Sequence, residues 1–270
     1  MAGRIRVGVG GWTFEPWRGV FYPKELRQKD ELSFASRHLT SIEINGTYYS
    51  GFSPATFAKW ASETPDGFVF SLKASRFCTN RRVLAEGGES IRRYFAQGIV
   101  ELGDRLGPIV WQFMATKKFD HDDLAAFMDL WPAEIGGRPL RHVLEVRHDS
   151  FKDARFVDLC RERGVAICVA EHGAHPLIPD VTAEFVYARL MLGEDHIETC
   201  YPPADIDAWA GRLRAWSEGV APSDLPLISE ATPPARTERD VFAYFISGGK
   251  VRAPSGAMAL IERLDARSVG

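Results

Sequence analysis

Apolar and polar positions alternate in short runs along this chain. In residues 141–148, Leu144 and Val146 fall on one face of an extended strand while Val143, Glu145 and Arg147 share the other. Residues 41–45 repeat the pattern, with Ile42 and Ile44 opposite Glu43 and Asn45, and in 68–73 Phe68, Phe70 and Leu72 lie opposite Lys73. Residues 109–112 end in Gln112 and residues 185–189 in Arg189, so five apolar strands each finish in an ionisable or amide side chain. Eight such runs are predicted, at 5–10, 41–45, 68–73, 108–113, 142–147, 165–170, 185–190 and 241–246. Helical patterns separate most of them, at 30–38, 54–62, 89–105, 120–130, 152–163, 203–217 and 254–265. Ser53 followed by Pro54 is a helix-start signal, and Asp120, Asp153 and Ser255 stand near the starts of three others. Strands alternating with helices imply right-handed crossovers and a parallel sheet. Eight repeats favour an α/β fold of the TIM-like (β/α)8 type, with parallel strands inside, helices outside and the site at the C-terminal strand ends. Gly8-Val9-Gly10-Gly11 only loosely echoes a dinucleotide-binding turn, because no helix start follows it. Long loops are expected at 11–29, 74–88, 170–184 and 220–240, three of them directly after a strand, on the face where barrel sites lie.

Composition narrows the class of molecule. A length of 270 residues suits one barrel domain spanning 1–270, since such barrels run to about 250 residues. With 45% hydrophobic and 26% charged residues, a large core needs no staples. A net charge of −3 argues against a surface that coats polyanions, while leaving room for a local basic groove. Cys78, Cys160, Cys168 and Cys200 have neither C-x-x-C pairing nor metal-ligand spacing and read as reduced thiols, Cys160 and Cys168 in the core. The first nine residues are too polar and too short for a signal peptide, and no apolar run reaches the roughly 20 residues of a membrane span. A cytoplasmic protein is the expectation.

Several blocks carry a more specific message. Gly8-Val-Gly-Gly-Trp-Thr-Phe-Glu-Pro-Trp17, Phe21-Tyr-Pro23 and Ile42-Glu-Ile-Asn-Gly-Thr-Tyr-Tyr49 are followed in order by Phe70-Ser-Leu-Lys73, Leu106-Gly-Pro-Ile-Val-Trp-Gln-Phe113 and Leu144-Glu-Val-Arg-His148. Together they resemble the domain of unknown function 72 family, the YecE-like proteins, over most of the chain. The resemblance implies a TIM-like barrel and brings no established reaction with it. Similar barrels include metal-dependent apurinic endonucleases and sugar isomerases, a likeness of fold alone. The chain departs from the family pattern at Thr79-Asn80 and at Arg189-Leu190-Met191-Leu192, where the family pattern has histidines, and at Ile246-Ser247-Gly248-Gly249-Lys250, where it has an Asn-Asn pair.

The strand phases point Lys73, Arg147 and Arg189 to the inside of the barrel, where three converging cations repel unless they meet Glu43, Glu145 or an anionic ligand. Buried ion pairs add little stability, so function outweighs filling as the reason for them, and a phosphate or carboxylate is the natural partner. Glu145, and after it Glu43, are the candidate general acid and base; the other reading pairs each with a cation. Lys73 is a candidate Schiff-base nucleophile, with anion binding the preferred role. Asn45 and Gln112 would orient substrate hydroxyls or carbonyls. Trp12 and Tyr48, just past strand ends, could stack on a sugar or base, whereas Trp17 and Phe21 read as a satellite core. Arg76 belongs to a segment, 73–82, with four positive charges and no acid, which fits either a nucleic-acid or nucleotide site or a solvated loop balanced by Glu86 and Glu89. Glu171, His172 and His175 after the sixth strand, with His148 after the fifth, are the residues that would hold a divalent metal, although two histidines three apart in a glycine-containing loop are a weak ligand pattern. No cofactor is otherwise predicted. The leading expectation is an enzyme acting on a phosphorylated or otherwise anionic small molecule or a nucleic-acid end, by hydrolysis or by isomerase or lyase chemistry. The alternatives are a non-catalytic nucleic-acid- or nucleotide-binding protein and a metal-dependent phosphoesterase resembling the apurinic endonuclease barrels.

Overall fold

The computed structural model describes residues 2–229 and 237–266. Eight strands, β1 (Ile5–Gly10), β2 (Ser41–Ile44), β3 (Val69–Lys73), β4 (Leu106–Gln112), β5 (His142–Glu145), β6 (Ala166–Glu171), β7 (Phe185–Leu190) and β8 (Asp240–Phe245), close into a barrel. Every neighbouring pair is parallel, and β1 pairs with both β2 and β8 to complete the ring. This is the TIM-like (β/α)8 architecture that the alternation predicts. Period-2 patterning is what divides the core in two. Ile42, Ile44, Phe70, Leu72, Trp111, Leu144 and Val146 belong to the large cluster that also takes in the helices. Val69, Val110, Val143, Ala166, Cys168, Tyr187 and Tyr244 form a second, smaller cluster that fills the barrel interior.

The outer helices are α1 (Glu31–His38), α2 (Pro54–Glu63), α3 (Gly88–Phe95), α4 (His121–Met128), α5 (Ala154–Glu162), α6 (Pro203–Ser217) and α7 (Ala253–Asp265). Ser53, Asp120 and Asp153 cap α2, α4 and α5, each accepting a backbone N–H of the first turn. Ser255 is not a cap: α7 starts two residues earlier, with Pro254 in its first turn. The helix expected over 89–105 ends at Phe95 and resumes as a 3-10 segment, Ile99–Arg105. Gly98 between them takes a left-handed conformation, with a φ of 91°, which interrupts the helix, and a Cβ there would lie 2.6 Å from the Pro54 ring, so only glycine fits. Among the described residues no helix bridges β6 and β7. Thr182 pins that connection to the barrel instead, donating to the Val165 carbonyl at 2.6 Å and accepting the Ile167 N–H at 3.2 Å.

Small elements absent from the sequence expectation include single helical turns at Gly46–Tyr49 and Arg76–Thr79, 3-10 turns at Glu15–Trp17, Leu84–Gly87 and Asp149–Phe151, and a two-stranded ribbon, Glu134–Ile135 with Arg138–Pro139. Of the loop expected at 220–240, residues 230–236 lie outside the described residues. All four cysteines are free and buried. Among the described residues no helix is long and apolar enough to cross a membrane.

Candidate functional site

Strand register decides which charged ends meet. Gly10 of β1 lies beside Glu43, Gln112 beside Glu145, and Ala170 beside Arg189. With only a glycine and an alanine at two of these positions, long side chains can cross the barrel from the other strands. Arg189 reaches from β7 to both carboxylates, donating from Nη2 to Glu43 Oε1 at 2.8 Å and from Nη1 to Glu145 Oε2. Tyr187 Oη donates to the second Glu43 oxygen at 2.5 Å. Gln112 Nε2 contacts both Glu145 oxygens at 2.9 and 2.8 Å, and Arg147 adds Nε and Nη2 at 2.8 and 2.7 Å to Oε1. Below this layer Tyr244 Oη lies 2.6 Å from both Ser41 Oγ and Ser71 Oγ. A charge taken into a protein interior costs several kcal/mol unless its hydrogen-bonding capacity is met. Here both carboxylates meet that condition. Burial alone would raise the Glu145 pKa; the guanidiniums of Arg189 and Arg147, with the Gln112 amide, outweigh it and bring it down to about 2.

Lys73 is held differently. Its side chain is 7% exposed, its ammonium sits 4.1 Å from the centre of the Tyr48 ring, and among the described residues it makes no ion pair. Burial, then the like charges of Arg189 and Arg147, push its pKa down to about 8 against the opposing pull of Glu43 and Glu145. It opens into a cavity of about 330 Å³ at the C-terminal strand ends, whose walls include Asn45, Tyr49, Gln112, Arg147, Arg189 and Lys250. Four cations line this space with no acid among the lining residues, over two carboxylates already engaged. Arg189 Nε is also buried without a hydrogen-bond partner among the described residues.

The structure thus brings Glu43, Asn45, Lys73, Gln112, Glu145, Arg147 and Arg189 together, with Tyr48 against Lys73. Trp12 and Arg76 are not among the residues lining the cavity. Trp12 packs edge-on against Trp60 at 5.0 Å and near Phe70, so its ring is spent on fixing the first loop. Arg76 is exposed on its own helical turn, over the Phe77 ring at 5.3 Å. Several lining residues escape a reading of strand phase, among them Trp17, expected in a satellite core, Tyr49 and Lys250. Tyr49 projects from the short turn after β2, and Lys250 from the loop after β8, where Ser247-Gly248-Gly249-Lys250 was itself a signal, because glycines and a cation after the last strand recur in barrel anion sites.

The expected metal ligands do not converge. Glu171 faces outward, accepting from Tyr201 Oη at 2.6 Å and Trp209 Nε1 at 3.0 Å. His148 and His172 each spend Nδ1 on a backbone N–H two residues ahead, Ser150 and Ala174. His175 stacks on His172 with ring centroids 3.8 Å apart, its pKa lowered by burial and then by Arg147. Among the described residues no group of three or more His, Cys, Asp or Glu is placed to hold a metal ion.

Known proteins place this geometry in a family. A DUF72 family protein from Thermotoga maritima superposes with a TM-score of 0.72 at 20% identity, covering 99% of this chain and all of its own. A second DUF72 family protein, from Enterococcus faecalis V583, does so at 0.68 and 14% identity, covering 97% of this chain and 98% of its own. The barrel of SacUVDE is more distant, at 0.55 and 8% identity over 98% of this chain and 99% of its own. No curated protein matches the chain. The model of the family described as protein of unknown function DUF72 matches residues 6–269, and the chain belongs to that family.

Proposed function

We propose that the cavity at the C-terminal strand ends is the site of an enzyme acting on an anionic, phosphorylated or carboxylated small molecule. The observation that carries this reading is the charge imbalance. Arg147 and Arg189 are matched by Glu145 and Glu43, whereas Lys73 and Lys250 line the same cavity with no ion-pair partner among the described residues. A lysine kept mostly protonated while desolvated is a standing cost to the fold, and an anion would relieve it. In this reading Arg147, Lys250 and Lys73 receive the anion, while Asn45 and Gln112 face its uncharged part. Glu145 is better suited to positioning than to proton transfer. With both oxygens engaged and a pKa of about 2, it has neither a proton to give nor a free lone pair to take one at neutral pH. Glu43, shared between Arg189 and Tyr187, is similarly occupied.

The test is calorimetric titration of the protein with inorganic phosphate and pyrophosphate at low salt. One-site binding is expected, weakened about tenfold or more by either Lys73→Met or Arg147→Gln, a loss of about 1.4 kcal/mol. Binding that survives both substitutions unchanged would defeat the reading.

A second reading, a nucleic-acid end as the ligand, draws on exposed rings, of which Tyr49 lines the cavity and Phe77 does not. Tyr49 and Phe77 are 62% and 61% exposed, and Phe77 lies beneath the Arg76 guanidinium. An exposed ring beside a cation suits base stacking. This reading predicts binding to a single-stranded oligonucleotide that falls steeply with salt, across several phosphate contacts. Weak binding indifferent to salt would dismiss it.

A further inference from the structure

We propose that Lys73 is a covalent nucleophile, forming an imine with an anionic aldehyde or ketone held in the same cavity. This rests on the anionic-ligand reading above and names the substrate class, a carbonyl compound carrying a phosphate or carboxylate. The geometry separates Lys73 from the other cations of the site. Arg189 and Arg147 are locked onto Glu43 and Glu145, and a guanidinium is no nucleophile in any case. Lys250 stands at the mouth, exposed, over the Phe14 ring at 4.0 Å. Lys73 alone combines burial, direct access to the cavity and freedom from an ion pair among the described residues. Its flank is the face of the Tyr48 ring, which tolerates a cation without accepting a hydrogen bond in the way that a carboxylate would. Amides line the same space at Asn45 and Gln112, while Arg147 and Lys250 remain to hold the anionic end.

Burial, ahead of any single charged neighbour, favours the free amine of Lys73. Burial and the guanidiniums of Arg189 and Arg147 act against the ammonium, and Glu43 and Glu145 oppose them only in part. At pH 7 the free-amine fraction is then roughly two hundredfold larger than that of an ordinary solvent-exposed lysine. The step is balanced. The neutral amine attacks the carbonyl carbon, a C–N bond forms, and the carbonyl π pair moves to oxygen, which takes the proton released from nitrogen to give a carbinolamine. Protonation of that hydroxyl and its loss as water leaves the iminium, so ammonium plus carbonyl yields iminium plus water, with one positive charge on each side. No oxidant or further reactant is needed.

The experiment treats the full-length protein with pyruvate, with glyceraldehyde 3-phosphate and, as an uncharged control, with acetaldehyde. Each is followed by borohydride reduction and peptide mapping by mass spectrometry. The expected result is a reduced adduct at Lys73, formed at least about tenfold faster than at exposed lysines such as Lys24 and Lys29. Its rate should rise as pH passes through about 8. Inorganic phosphate should suppress it, and Lys73→Arg should abolish the adduct, since a guanidinium does not form the imine. No adduct at Lys73 in a protein that binds phosphate overturns the imine and leaves the anion site standing. Neither adduct nor phosphate binding overturns both. Labelling of Lys73 by acetaldehyde as fast as by the anionic carbonyls overturns the substrate class.

Discussion

The barrel has a charged cavity at each end, and the larger is the less informative. At the N-terminal strand ends, a cavity of about 560 Å³ is lined by Arg6, Arg138 and Arg141 together with Asp104 and Asp240. Asp240 receives Arg141 at 3.0 Å and Arg6 at 3.5 Å, and Arg138 reaches Asp104 at 2.5 Å. These pairs lie within the cavity wall, with the aspartates 25% and 85% exposed, so water shares the work of solvating them. At the C-terminal ends the carboxylates are fully buried and saturated from within, and the cations left over face open space. Volume and charge alone do not tell the two apart. What differs is whether the charge is already answered.

That contrast makes unequal predictions. The largest effect should come from Glu145→Gln, which leaves the buried Arg189 with one carboxylate in place of two and the half-buried Arg147 with none. Unfolding in urea should show a loss of about 3–5 kcal/mol. Lys73→Met should move stability the other way. The folded pKa of about 8 lies below the ordinary lysine value, so the native state disfavours the ammonium. That cost is fully present below pH 8 and disappears as pH rises through the unfolded pKa near 10.4. At pH 7 the variant should therefore be more stable than the parent by up to about 3 kcal/mol, with the gain closing between pH 8 and 10.4. A variant that is less stable at pH 7 would mean that Lys73 is structural. Smallest should be Asp240→Asn at the opposite end, costing less than about 1 kcal/mol because its pairs are partly solvated. A loss there as large as at Glu145 would erase the distinction between the two ends.

Much of this was legible in strand phase. Alternation alone separates Leu144 and Val146 from Glu145 and Arg147, and the same rule puts Glu43, Lys73, Gln112 and Arg189 inside. What phase cannot supply is distance around a closed ring. Glu43 and Arg189 are 146 residues apart and share a bond only because β1 and β8 close the sheet between them. Single helical turns are also too short to leave a periodic signal, so Tyr49 is not placed by pattern, while Tyr48, expected past a strand end as a stacking ring, meets the Lys73 ammonium. The 134–139 ribbon did leave one, since Gly136-Gly137, both at positive φ, is a hairpin turn between very short strands. Trp12 shows the opposite failure: a ring just beyond a strand end has the right place for stacking on a ligand, and here its neighbours Trp60 and Phe70 take it first.

The central claim is that unanswered positive charge at the C-terminal end awaits an anion, and a crystal soaked in phosphate tests it most directly. The account predicts density for the ion within reach of Lys73, Arg147 and Lys250, in the cavity of about 330 Å³. An ion bound instead among Arg6, Arg138 and Arg141, with the Lys73 cavity holding only water, would contradict it.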